Sequence, residues 1–169
     1  MSDNIINRVA NSQLLTLDLA DYLPKEEIVI FDLKSLLFME MVLKEKDFRA
    51  NLEKIDWTQY RGKTVTITCS NDAIIPAWAF MLVVSYLQPL AKKILLGDLA
   101  SATKELLLQN IRNADAGAFR DLRVVIKGCG DDEIDPAAYA EITIKLQPVA
   151  KSIMYGEPCS TVPVFKKRG

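Results

Sequence analysis

The chain has 169 residues, half of them apolar and a quarter charged, which suits an ordinary globular domain with a real hydrophobic core. Lys and Arg number 21 against 22 Asp and Glu, so no field of one sign invites nucleic acid or an acidic membrane surface. Histidine is absent, which excludes Ser-His-Asp and Cys-His catalysis, histidine acid–base chemistry and imidazole metal ligands.

Residues 1–12 lack an apolar core of signal-peptide length. The longest apolar run, 73–84, is too short to cross a bilayer and carries Pro76, so no membrane association is expected. Three cysteines without a secretion signal point to a cytoplasmic protein with free thiols.

In chain order, segments 14–19 and 28–32 read as strands around the turn-like stretch 21–25. Segment 35–43 is apolar without a clear period. Segment 45–55 puts Phe48, Leu52 and Ile55 on one helical face. Strand 64–68 is followed by a long apolar helix running to about Leu90, then by strand 94–96, which ends at Gly97. An amphipathic helix spans 101–112, with Leu106, Leu107 and Ile111 inward. Strand 123–127, helix 136–150 and strand 152–155 complete the alternation. The pattern predicts a single α/β domain with a mainly parallel sheet, the N-terminal part adding strands and a helix.

Two stretches match in order. Leu87-Gln-Pro-Leu-Ala-Lys92 matches Leu146-Gln-Pro-Val-Ala-Lys151, and Gly97-Asp98 matches Gly156-Glu157. Upstream, Cys69-Ser-Asn-Asp72 matches Cys129-Gly-Asp-Asp132. The expectation is an internal duplication of β-α-β units, 64–97 and 123–156, in one sheet. The usual doubly wound order for its four strands is two-one-three-four.

The chemistry-bearing candidates follow from that topology. Cys69, Cys129 and Cys159 each come after a predicted parallel strand. Open α/β sheets place ligands beyond those strand ends, and neighbouring strands lie about 4.8 Å apart. Three thiols on neighbouring strands would meet in one crevice. Helix N-termini after Cys69 and Cys129 would favour the thiolate. Asp72 and Asp132 either cap the following helices or supply oxygen ligands. Thiolates favour zinc, copper(I) or an iron–sulfur cluster, although no Cys-x-x-Cys spacing occurs.

The segments Cys69-Ser-Asn-Asp-Ala-Ile-Ile-Pro-Ala-Trp-Ala-Phe-Met-Leu82, Ile126-Lys-Gly-Cys129 and Gly156-Glu-Pro-Cys-Ser-Thr-Val-Pro163 resemble the bacterial family catalogued as domain of unknown function 2480. So do Ile5-Ile-Asn-Arg-Val-Ala-Asn-Ser12 and Glu45-Lys-Asp-Phe48, and the resemblance covers nearly the whole chain. The family name carries no activity. The resemblance implies gene neighbourhoods of sulfur-mobilisation iron–sulfur assembly systems, and hence iron–sulfur assembly proteins as partners.

Three functional expectations follow. The first is a cytoplasmic accessory protein holding a metal or iron–sulfur cluster on Cys69, Cys129 and Cys159, with Asp72 or Asp132 completing the site. The second is a thiol-redox or sulfur-carrier protein. The third is a non-catalytic interaction module.

Overall fold

The computed structural model describes residues 7–8, 14–127 and 133–168. In chain order the strands are β1 (Asn7–Arg8), β2 (Leu14–Leu17), β3 (Ile28–Asp32), β4 (Thr64–Thr68), β5 (Lys93–Leu96), β6 (Arg123–Ile126), β7 (Ser152–Glu157) and β8 (Ser160–Lys166). The helices are α1 (Glu45–Leu52), α2 (Ala77–Leu87), α3 (Leu99–Asn113) and α4 (Pro136–Leu146). They build a mixed α/β fold with two mostly parallel sheets. No helix among the described residues is long and apolar enough to cross a membrane.

The chain gathers into two compact units, residues 25–103 and residues 1–24 with 104–169. In the first, β3, β4 and β5 lie in sequential order and pair in parallel. Two successive right-handed crossovers running in one direction leave both helices on the same face of a sheet. Phe31, Val65 and Ile67 accordingly share a core with Phe48 and Leu52 of α1 and with Ala79, Val83 and Leu87 of α2. The four-residue spacing of these helical positions gives each helix one apolar stripe. Each large side chain fully buried this way contributes about 1.5–3 kcal/mol.

In the second unit β2, β6 and β7 form the parallel trio. β1 joins antiparallel beside β2, and β8 antiparallel beside β7. Leu15, Leu17, Val124, Ile126 and Ile153 of the sheet pack with Leu107 and Ile111 of α3 and with Ala138, Ile142 and Leu146 of α4.

The same elements recur at a constant spacing of 59 residues. β6, α4 and β7 begin at 123, 136 and 152, against 64, 77 and 93 for β4, α2 and β5. The connecting hydrogen bonds recur too. Gly62 N–H donates to the Leu90 carbonyl at 2.9 Å, and Asp121 N–H to that of Val149 at 2.9 Å. Lys92 N–H donates to Lys63, and Lys151 N–H to Leu122, both at 2.8 Å. Gly97 and Gly156 share a left-handed φ of 118° and 119°. At this spacing Cys69 corresponds to position 128, and Ser70 to position 129.

One expectation is overturned. Segments 64–97 and 123–156 do not share a sheet in the order two-one-three-four. Each β-α-β unit pairs instead with an earlier strand, β3 beside β4 and β2 beside β6. Apolar runs mark strands buried on a sheet but do not encode which strand lies alongside. The sequence reading also ended the sheet at β7 and missed β8, whose Pro163 fits the strand's edge position and the irregular register beside it.

Candidate functional site

Cys69 is the first residue beyond β4 in the 25–103 unit. It is half-buried and packs against that unit's core. It lines a cavity of about 460 Å³ with Thr68, Asn71, Phe80, Leu96 and Gly97. The cavity lies past the carboxyl ends of β4 and β5, the position open α/β sheets use for ligands. Its walls are mostly apolar, with Ile67, Ala73, Ile75, Phe80 and Leu96 beside the Cys69 and Asn71 side chains.

Local chemistry explains how the walls stand. The Gly97 N–H donates to the Ile67 carbonyl at 2.9 Å, and the Thr66 hydroxyl donates to the Gly97 carbonyl at 2.6 Å. With φ at 118°, Gly97 turns the chain out of β5 in a conformation side-chain-bearing residues rarely adopt. The loop beyond β4 is tied to the end of β3. The Asp32 carboxylate accepts the Lys34 N–H at 2.9 Å, the Ser70 N–H at 3.1 Å and the Ser70 hydroxyl at 2.5 Å. Burial pushes the Asp32 carboxyl up. The Ser70 hydroxyl, the Lys34 and Ser70 N–H groups and the Lys34 charge outweigh it and hold the group below its ordinary value.

The Asn71 amide donates to the Glu40 carbonyl at 2.8 Å. Glu40 sits in a tight turn closed by the Phe38 N–H to Val42 carbonyl bond of 2.8 Å. Met39 and Glu40 in that turn take left-handed φ values of 49° and 59° without being glycine, a strain of order 1 kcal/mol each. The Lys34–Glu40 ion pair at 3.3 Å and the Asn71 bond hold the turn closed.

Cys159 does not follow a strand of the sheet that carries Cys69. Cys159 lies in the two-residue turn between β7 and β8, where Glu157 pairs with Ser160, and it is exposed. It therefore belongs to the other sheet, and it precedes a strand rather than ending the sheet. Cys129 and Asp132 fall outside the described residues. Among the described residues no group of three or more Cys, Asp or Glu is placed to hold a metal ion.

Asp72 is exposed in a bend and does not cap α2, whose N-cap is Pro76 without a side-chain bond. Residues 70–76 separate Cys69 from the first turn of α2, and a helix dipole acts only within that turn. At α4 the cap is Asp135, accepting the Ala137 N–H at 2.8 Å. That bond and the Lys104 ion pair at 3.0 Å lower its carboxyl from the ordinary value.

The second unit carries a cavity at the corresponding place. It measures about 480 Å³ and is walled by Ile126, Tyr139 and Tyr155, the positions 59 residues beyond Ile67, Phe80 and Leu96, with Ile144 and Val164 added. Tyr139 and Tyr155 meet edge to face at 5.6 Å.

The sequence reading missed the two carboxylates that organise the strand ends. Asp18 after β2 accepts the Ala20 N–H at 2.9 Å and the Lys127 ammonium at 2.9 Å, much as Asp32 holds Lys34 and Ser70. The signal was present as Leu17-Asp18-Leu19 and Phe31-Asp32-Leu33, an aspartate ending a strand where its side chain can bond the backbone two residues on.

These features define an α/β protein whose two mostly parallel sheets each lie beside a cavity. The chain belongs to the family described as protein of unknown function (DUF2480), whose model matches residues 3–167. No curated protein and no solved structure matches it.

Proposed function

We propose that the chain is a sulfur-carrying accessory protein whose Cys69 thiol holds a transferable sulfur in the cavity of the 25–103 unit. The observation that supports this reading is the half-buried Cys69 thiol at a cavity wall beyond the strand ends. The apolar walls of Ile67, Ile75, Phe80 and Leu96 around the thiol suit a soft, weakly charged group. Cys69 is also the one cysteine among the described lining residues, which suits a carrier better than a dithiol couple that needs a resolving partner.

In the step envisaged, the Cys69 thiolate attacks the terminal sulfur of a donor persulfide. A new sulfur–sulfur bond forms on Cys69, the donor's sulfur–sulfur bond breaks, and the donor leaves as its thiolate.

The test is intact-protein mass spectrometry after exposure of the full chain to inorganic polysulfide. One sulfur atom should be gained in the wild type and in Cys159→Ser, reversed by cyanide and lost in Cys69→Ser. Uptake that survives Cys69→Ser would sink the reading. The competing proposal of a zinc or iron–sulfur site on Cys69, Cys129 and Cys159, with Asp72 or Asp132, makes a different demand. Anaerobically purified protein would then hold stoichiometric metal, lost to a similar extent on changing any one of the three cysteines.

A further inference from the structure

We propose that Asp32 is a positioning residue for the Cys69 cavity, fixing the loop beyond β4 through Ser70; the inference rests on Cys69 being the working thiol. Ser70 follows Cys69 directly, so the Ser70 N–H lies in the peptide plane that also contains the Cys69 carbonyl and Cα. Holding that N–H at 3.1 Å from Asp32 Oδ1 fixes the plane on one side of Cys69. The Ser70 hydroxyl on Oδ2, at 2.5 Å, holds it against rotation. The Lys34 N–H on Oδ1, at 2.9 Å, anchors the carboxylate to the chain just after β3. Asp32 thus joins two segments that are 38 residues apart in sequence.

The arrangement recurs in the other unit. Asp18 caps the turn after β2 through Ala20 and reaches Lys127, the residue just beyond β6. A carboxylate at the end of the first parallel strand, tied to the loop beyond the central strand, is therefore a repeated device of the fold. Only in the 25–103 unit does the described tie act on a residue adjoining a cysteine.

Both N–H groups are received by Oδ1, so asparagine, which keeps one carbonyl oxygen, can preserve the geometry without the charge. Serine can still bond the Lys34 N–H as a turn residue but is too short to reach Ser70. The experiment is iodoacetamide labelling of the native full chain, with the rate at each cysteine read by peptide mass spectrometry. Asp32→Ala and Asp32→Ser should label Cys69 about tenfold faster than wild type, as expected when bonds to a charged acceptor are lost. Asp32→Asn should stay within about twofold. Cys159, in its exposed turn, should label at an unchanged rate throughout, and Asp18→Ala should leave the Cys69 rate as it is. Wild-type labelling of Cys69 in Asp32→Ser would overturn the proposal. So would equal acceleration by Asp18→Ala, which marks general loosening. If Asp32→Ala fails to fold, the Ser and Asn variants decide between them. Labelling does not require sulfur transfer, so a wild type that takes up no sulfur would sink the functional reading and leave this result standing.

Discussion

Asp32 and Ser70 bond twice across the ends of β3 and β4, through the Ser70 N–H at 3.1 Å and its hydroxyl at 2.5 Å. β3 and β4 pair in parallel with Asp32 opposite Thr68, so the carboxylate extends the ladder past its last strand pair. The register of two strands thereby sets the position of the loop that carries Cys69.

Acid should weaken the fold through these carboxylates. Burial raises Asp18, but its bonds to Lys127 and Ala20 bring it below the ordinary 3.8, and Asp32 is likewise lowered. A carboxyl lowered in the folded state contributes stability above its unfolded value and loses it as pH falls through the folded one. The urea midpoint should therefore hold above the ordinary aspartate range and fall as pH drops through and below about 3.8. Asp32→Asn and Asp18→Asn should each flatten that descent. A descent as steep in both variants as in wild type would refute the assignment.

Two left-handed glycines should differ in their tolerance of alanine. A Cβ on Gly156 would stand 2.6 Å from the Ser160 carbonyl oxygen, a backbone atom that cannot swing aside, and φ there is 119°. Gly62, at φ 70°, has nothing within 4 Å of such a Cβ. Gly62→Ala should cost about 1 kcal/mol from backbone conformation alone. Gly156→Ala should cost more, about 2 kcal/mol or above, and loosen the β7–β8 turn. Thermal unfolding of the two variants measures the difference, and equal losses would contradict it.

Leu87 and Leu146 are both fully buried at corresponding positions on α2 and α4. Truncating either to alanine removes the transfer energy of the side chain and leaves a cavity, so each should lose about 2–5 kcal/mol in chemical denaturation. Leu87→Ala should also alter the tryptophan emission, because Trp57 stacks on Phe31 and on Tyr86, the neighbour of Leu87. Leu146→Ala should leave that emission largely as it is, since Trp57 and Trp78 both lie in the 25–103 unit.

Much of the local structure was written in the sequence. Strands 28–32 and 64–68 read directly as β3 and β4, because Ile28-Val-Ile-Phe31 and Thr64-Val-Thr-Ile-Thr68 are rich in β-branched residues bounded by turn-forming ones. The apolar stripe of Phe48 and Leu52 gave α1, and Pro136 opened α4 where a missing N–H costs nothing. The family was legible too, since long matching segments fix membership without any knowledge of contacts.

Strand pairing and the surroundings of Cys69 and Cys159 were decided by tertiary structure alone. A strand's own residues encode its buried face, whereas its neighbour depends on which crossover closes beside it. β2 pairs with β6, 109 residues away between Asp18 and Lys127, while the intervening chain pairs β4 with β3 and β5 in a sheet of its own. Cys69 and Cys159 read alike as residues after strands. The fold sets one at a cavity wall and the other in an exposed two-residue turn. Asp32 could be read as a turn-former, but its bond to Ser70 exists only because parallel pairing brings the ends of β3 and β4 side by side.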